Sequence, residues 1–154
     1  MLFRSVLSGA TYHSNVERPA HLMRRLSELG DAIHVLTLHG YLFFGTANRL
    51  VQQLRERMND TARPRLRYVL LDFRQVHGLD SSAAASFMKL RRDAVDRDLR
   101  IVVTSVHADV SRQLARGGFL LPNDSRVIEF AEQDLGLEWC EDRLLGGEIG
   151  RAHV

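Results

Sequence analysis

Tyr68-Val69-Leu70-Leu71-Asp72-Phe73, followed after Val76 by Gly78-Leu79-Asp80-Ser81-Ser82-Ala83, is the stretch on which the reading of this chain turns. Its first six residues are almost unbroken apolar and β-forming. The run is short for a helix and does not alternate, which predicts a strand covered on both faces, as inside a parallel sheet. His77 and Gly78 read as turn material. Asp80 and Ser81 then stand where the first turn of a helix leaves N–H groups without partners. Behind them, residues 81–96 set Ala83, Phe87, Leu90 and Ala94 on one helical face.

The same alternation of signals extends in both directions. Ile33-His34-Val35-Leu36-Thr37-Leu38 is β-rich and lies between Gly30 and Gly40. Tyr41-Leu42-Phe43-Phe44 is a second short apolar run closed by Gly45, with Thr46 placed to cap the next segment. Ala47, Leu50, Val51, Leu54 and Met58 then recur at helical spacing until Asn59, Asp60 and Pro64 stop them. Residues 99–104 predict another buried strand, 108–116 a helix ended by Gly117-Gly118, 127–130 a weak strand, and 134–145 a last helix anchored by Leu137, Trp139, Cys140 and Leu144. Strands alternating with helices of this length imply an α/β fold with a mostly parallel sheet.

The two ends are read separately. Residues 1–15 are rich in Ser and Gly and show no sustained period, so residues 1–30 are expected to be a linker or N-terminal extension. Within it, Pro19, Leu22, Leu26, Leu29 and Gly30 mark one short helix. Residues 31–147 are the expected domain. Residues 148–154, Glu148-Ile149-Gly150-Arg151-Ala152-His153-Val154, show neither period nor cap logic. They back-translate to GAG ATC GGA AGA GCA CAC GTC, which resembles a sequencing-adapter read in frame. The expectation is a non-native tail, with the natural chain continuing beyond about Gly147.

Composition bounds the function. The 154 residues are 45% hydrophobic and 26% charged, the balance of a single globular domain rather than of a disordered chain. Formal charge is only +2, and Lys89 is the only lysine. Arginine interspersed with acids is not a nucleic-acid stripe, so no nucleic-acid partner is expected. The lone Cys140 excludes an internal disulfide, fits a reducing, cytoplasmic setting, and reads as a small core residue. No apolar run approaches the ~18 residues of a membrane span.

Enzyme signatures are missing: no Gly-x-Ser-x-Gly, no Gly-x-Gly-x-x-Gly, no P-loop and no His-Glu-x-x-His. His34 and His39 stand five apart, which suits no usual metal spacing. His77, Asp80 and Ser81 crowd into five residues, whereas a triad is assembled from distant segments. No catalytic residue, metal or cofactor is therefore expected. The one chemically loaded segment is Asp80-Ser81-Ser82-Ala83. Plain capping explains its Asp and Ser. A serine at a helix N-terminus is also a good place for a phosphate, because free N–H groups and the helix dipole favour the anion.

The run at 68–73, Val76 and the segment 78–83 together resemble the central signature of STAS domains. That family includes anti-sigma-factor antagonists and the C-terminal domains of SulP-type sulfate permeases. Leu38-His39-Gly40-Tyr41-Leu42-Phe43-Phe44-Gly45-Thr46-Ala47 is similar to the permease branch. So is the terminal Leu137-Glu138-Trp139-Cys140-Glu141-Asp142-Arg143-Leu144-Leu145, which in some bacterial relatives leads into a cyclic-nucleotide-binding domain. The resemblance implies a four- to five-stranded, mostly parallel sheet with helices mainly on one face. It implies a non-enzymatic regulatory domain of a SulP-like anion transporter, cytoplasmic, with the parent in the inner (plasma) membrane. Its partner would be its own transmembrane domain or a cytosolic regulatory protein, met through Asp80, Ser81, Ser82 and Ala83. The alternative is a free anti-sigma-factor antagonist. In that branch the phosphorylated serine follows the Asp, which here is Ser81, with Ser82 second to it. This chain has Ala83 where that branch usually has Gly. Leu70, Phe73, Phe87 and Val102 are expected to be buried.

Overall fold

The structure, a computed structural model, describes residues 3–146. Strands β1 (Phe3–Ser8), β2 (Ile33–Leu42), β3 (Tyr68–Leu79), β4 (Arg100–Thr104) and β5 (Val127–Phe130) form one sheet in sequential order. β1 runs antiparallel to β2, and every later pair is parallel. The crossovers are helices α2 (Phe44–Met58), α3 (Ser81–Asp96) and α4 (Ala108–Arg116). One-step, right-handed crossovers place successive helices on the same face. There, Leu50, Leu54, Leu71, Phe73, Phe87, Leu114 and Phe119 are part of one buried cluster. The rings of Phe73 and Phe119 lie 5.8 and 5.2 Å from that of Phe87.

The other face needs a cover that no crossover supplies. Helix α5 (Gln133–Leu144) lies across it, packing Leu137 and Cys140 against Val35, Leu70 and Val102. Helix α1 (Ala20–Leu29) sits at its end, with Leu22 and Leu26 against Leu145. Cover on both faces is why the runs at 68–73 and 99–104 are continuously apolar. Leu70, Phe73, Val102 and Phe87 are all buried, as expected.

Two expectations need correcting. Residues 1–15 are not a plain linker, because residues 3–8 form the edge strand β1. An edge strand is fixed by backbone pairing to its neighbour, and no local period announces that. The segment after it is strapped to α5. Tyr12 donates to Gln133 at 2.7 Å, Ser14 N–H to the buried Glu141 at 2.8 Å, and Arg18 to Glu141 and Asp142. His77 and Gly78 are not a turn either, because β3 continues to Leu79 alongside β2. Two register shifts give β3 an extra residue each, so Phe73, Val76 and Leu79 all point into the core. The proposed foreign tail at 148–154 lies outside the described residues.

Two side-chain positions make the packing testable. A Cβ on Gly136 would lie 2.6 Å from Thr104 Cγ2 and 3.0 Å from Val102 Cγ1, so only glycine lets α5 approach the sheet this closely. Gly136→Ala is expected to lower stability by about 1–3 kcal/mol through overpacking, read as a drop in Tm by circular dichroism. His34 is buried in β2. Burial pushes its imidazole down to about 4, with the Arg57 and Arg63 cations adding to the effect. Unfolded histidine titrates near 6.5. The unfolded chain therefore takes up a proton that the folded one refuses. Stability is complete above pH 6.5 and falls as pH drops towards 4, by about 2 kcal/mol at pH 5. Urea unfolding at pH 7 and pH 5 should show this difference in the native chain and less of it in His34→Gln.

Candidate functional site

Strands β2 and β3 outrun their neighbours. β4 leaves β3 at Asp72, and β1 leaves β2 at Leu38, but β2 and β3 stay paired to Leu42 and Leu79. This two-stranded arm carries the Asp80–Ala83 loop to one end of the molecule. Asp80 N–H donates to Leu42 O at 3.1 Å, tying the loop to β2. The Asp80 carboxylate accepts the Ala83 N–H at 2.7 Å and so caps α3. Ala83 and Ala84 turn inward, whereas Ser81 and Ser82 face solvent. Among the described residues neither hydroxyl has a fold-making partner, so the serines are available for chemistry that the cap is not.

Sequence reading missed the surroundings of this loop. Tyr41, Phe43 and Phe44 are 47%, 57% and 46% exposed. They form an aromatic rim rather than a buried run. Tyr41 lies over Gly78, where a Cβ would come within 2.8 Å of its ring. The Tyr41 and Phe43 rings are 4.8 Å apart, and Lys89 Nζ stands 5.8 Å from the Phe44 ring centre. Thr46 does cap α2, but from inside its first turn. Its hydroxyl accepts the Phe43 N–H at 3.0 Å and donates to Phe43 O at 2.8 Å. The signal that could have found the rim is two adjacent phenylalanines standing before the periodic face that begins at Ala47.

A cleft of about 300 Å³ opens beside Ser81, between the start of α3 and the end of α4, lined also by Asp80, Gln113 and Arg116. Gly117 at its floor is where α4 comes close to Ala84. The structure does not assemble His77 with Asp80 and Ser81. His77 is exposed on β3, and the Asp80 carboxylate is held by Ala83. Among the described residues no three His, Cys, Asp or Glu side chains gather as for a metal. Cys140 is fully buried, and burial pushes its thiol far up, so it carries no thiolate.

Residues 26–125 match the family model of the STAS domain. This chain belongs to the STAS-domain family. STAS domains are regulatory and interaction domains. The chain is 28% identical over 144 residues to the vacuolar basic amino acid transporter VSB1 of Saccharomyces cerevisiae, covering 90% of this chain but 14% of that protein. Its fold is similar to a sulfate transporter family protein from Wolinella succinogenes, with TM-score 0.60 and 18% identity over 75% of this chain and 88% of that one. It is also similar to the anti-sigma factor antagonist SpoIIAA in its unphosphorylated form, with TM-score 0.55 and 16% identity over 74% and 89%.

The cap gives a direct test of the loop. Asp80→Ala is expected to cost about 1 kcal/mol, in the usual range for losing an N-cap. Asp80→Asn, which keeps an acceptor, should cost less. Denaturant unfolding of the three chains measures both.

Proposed function

We propose that this chain is the STAS module of a SulP-like anion (sulfate) transporter. It acts there without catalysis, as a regulatory domain on the cytoplasmic side of the plasma membrane. Its contact with the transporter's membrane domain, or with a cytosolic regulatory protein, is the end of the sheet that carries Asp80, Ser81, Ser82, Ala83 and the rim of Tyr41, Phe43 and Phe44. The observation that carries the transporter part of this reading is the extent of the match to a transporter, there one of basic amino acids, while the anion class rests on the likeness to the sulfate transporter family protein. At 90% of this chain the transporter match must run past residues 26–125 on both sides, into the segments that flank the family's common core. A second support is directional. β1 starts opposite Leu38 and runs back towards His34, so chain arriving from an upstream membrane domain reaches the sheet at the end that bears the rim. Among the described residues no helix is long and apolar enough to cross a membrane.

Phosphorylation of Ser81, or secondarily Ser82, is the switch this site suits. A phosphate brings about −1.5 to −2 charge beside the exposed Phe43 and Phe44 and repels an apolar partner surface. The free N–H groups of α3 and Arg116 across the cleft would hold it. The exposed Ser81 and the shared fold with SpoIIAA favour one other reading, a free anti-sigma-factor antagonist controlled by the same serine.

The experiment joins genetics with binding. The locus around this coding sequence should encode several apolar spans upstream, and the detergent-solubilised membrane domain should co-purify with this chain. Phe43→Ser with Phe44→Ser, or Ser81→Asp, should weaken that binding about tenfold or more. Ser81→Asp should move Tm by no more than about 2 °C, because the site is exposed. Flanks without apolar spans, together with binding to a sigma-regulating kinase, would replace the first reading with the second.

A further inference from the structure

At the opposite end of the sheet, arginines without a carboxylate partner converge on one cleft. Arg18, Arg55, Arg63, Arg91 and Arg112 each pair with a carboxylate. Arg65, Arg67, Arg100 and Arg143 do not, among the described residues, yet these four line a single cleft of about 90 Å³ with Tyr68 and Asp98. They come from three parts of the chain: the approach to β3, the first residue of β4 and the last turn of α5. The parallel register brings Arg100 opposite Tyr68.

Each guanidinium is positioned by a neutral group. Arg65 donates to Arg97 O at 3.1 Å, and Arg100 to Ser125 O at 2.6 Å. Arg67 stands 5.9 Å from the centre of the Tyr68 ring, and Arg143 4.9 Å from that of Trp139. Those two rings pack edge-on, 5.9 Å apart. Carbonyls and ring faces orient a guanidinium but leave its full charge. Asp98, the only carboxylate lining the cleft, faces Arg126 at 3.4 Å and is 77% exposed. Four cations thus line one small cleft, where like charges repel unless an anion joins them.

We infer that this cleft binds a phosphate group. Planar guanidinium forks match the oxygens of a tetrahedral oxyanion, two bonds per fork. At about 90 Å³ and open to solvent, the cleft suits one phosphate head. The remainder of the ligand lies outside, in solvent or in a lipid layer. The site is independent of the Ser81 loop, and it holds whichever partner that loop meets.

Titration of the full chain with inorganic phosphate and pyrophosphate, followed by amide NMR, tests it. The Arg67 and Arg100 amides should shift, with affinity weakening steeply as salt rises. Arg67→Gln with Arg143→Gln changes two exposed side chains, so the fold should survive. It should cut pyrophosphate affinity about tenfold or more, while Arg112→Gln on α4 leaves it unchanged. Vesicles of phosphatidylcholine, with and without phosphatidylglycerol, separate the sources. Sedimentation only with phosphatidylglycerol, reversed by pyrophosphate, marks a lipid headgroup. Pyrophosphate binding without sedimentation marks a soluble phosphorylated ligand. The inference is overturned if neither pyrophosphate nor the anionic vesicles bind the native chain, or if the double variant binds as well as the native one.

Discussion

Sequential strand order with right-handed crossovers is the constraint on which this molecule rests. It commits α2, α3 and α4 to one face of the sheet and leaves the other bare. Ile33, Val35, Leu70 and Val102 on that second face would otherwise meet water, at roughly 25 cal/mol per Å² of apolar surface. The cover comes from the two ends of the described chain. α5 lies down from one side, and the segment after β1 crosses it from the other. Gly136 sets how closely α5 seats, and Glu141 locks the strap. A fully buried carboxylate is tolerable only with partners, and Ser14 and Arg18 supply them. Residues 3–30 are therefore part of the packed unit.

The second determinant is the unequal length of the strands. Because β2 and β3 run on after β1 and β4 have stopped, their ends project. Side-chain alternation would bury every second residue on each face, but the two extra residues in β3 break it. Phe73, Val76 and Leu79 stay with the core, while the chain delivers Asp80 to the start of α3 at a position tied to Leu42. A bulged arm of this kind ties the loop to β2 and leaves Ser81 and Ser82 at the surface. Tyr41 stacked over Gly78 shields the arm's backbone and leaves the aromatic rim facing outward.

Chemistry is thus separated along the sheet. The C-terminal ends of β2 and β3 carry a capped helix start, two free serines and exposed aromatic rings. Near the N-terminal ends of β3 and β4, four arginines, one of them from α5, have no carboxylate partner among the described residues. In sequence, those four are indistinguishable from the arginines that form ion pairs. Arg63 and Arg65 are two residues apart, yet Arg63 is bound to Asp31 and Arg65 rests on a carbonyl. Which arginine keeps its charge free depends on the groups that the fold brings beside it.

Elements with a local cause were legible in the amino-acid order. The unbroken apolar run at 68–73 meant a strand covered on both faces, the spacing of Ala83, Phe87, Leu90 and Ala94 meant a helix, and the Asp80 cap placed its start. From these came the α/β class, the parallel sheet and the site loop. Long-range packing was needed to set β1, the length of β3, the outward rim and the arginine cleft. β1 exists because a neighbour offers a backbone ladder, not because its residues alternate. Phe43 and Phe44 have the phase of the buried face of α2 but lie at its first turn, beyond the end of the core, so they emerge into solvent. Burial and pairing are properties of the group opposite a residue, and that group is set by residues distant in the chain.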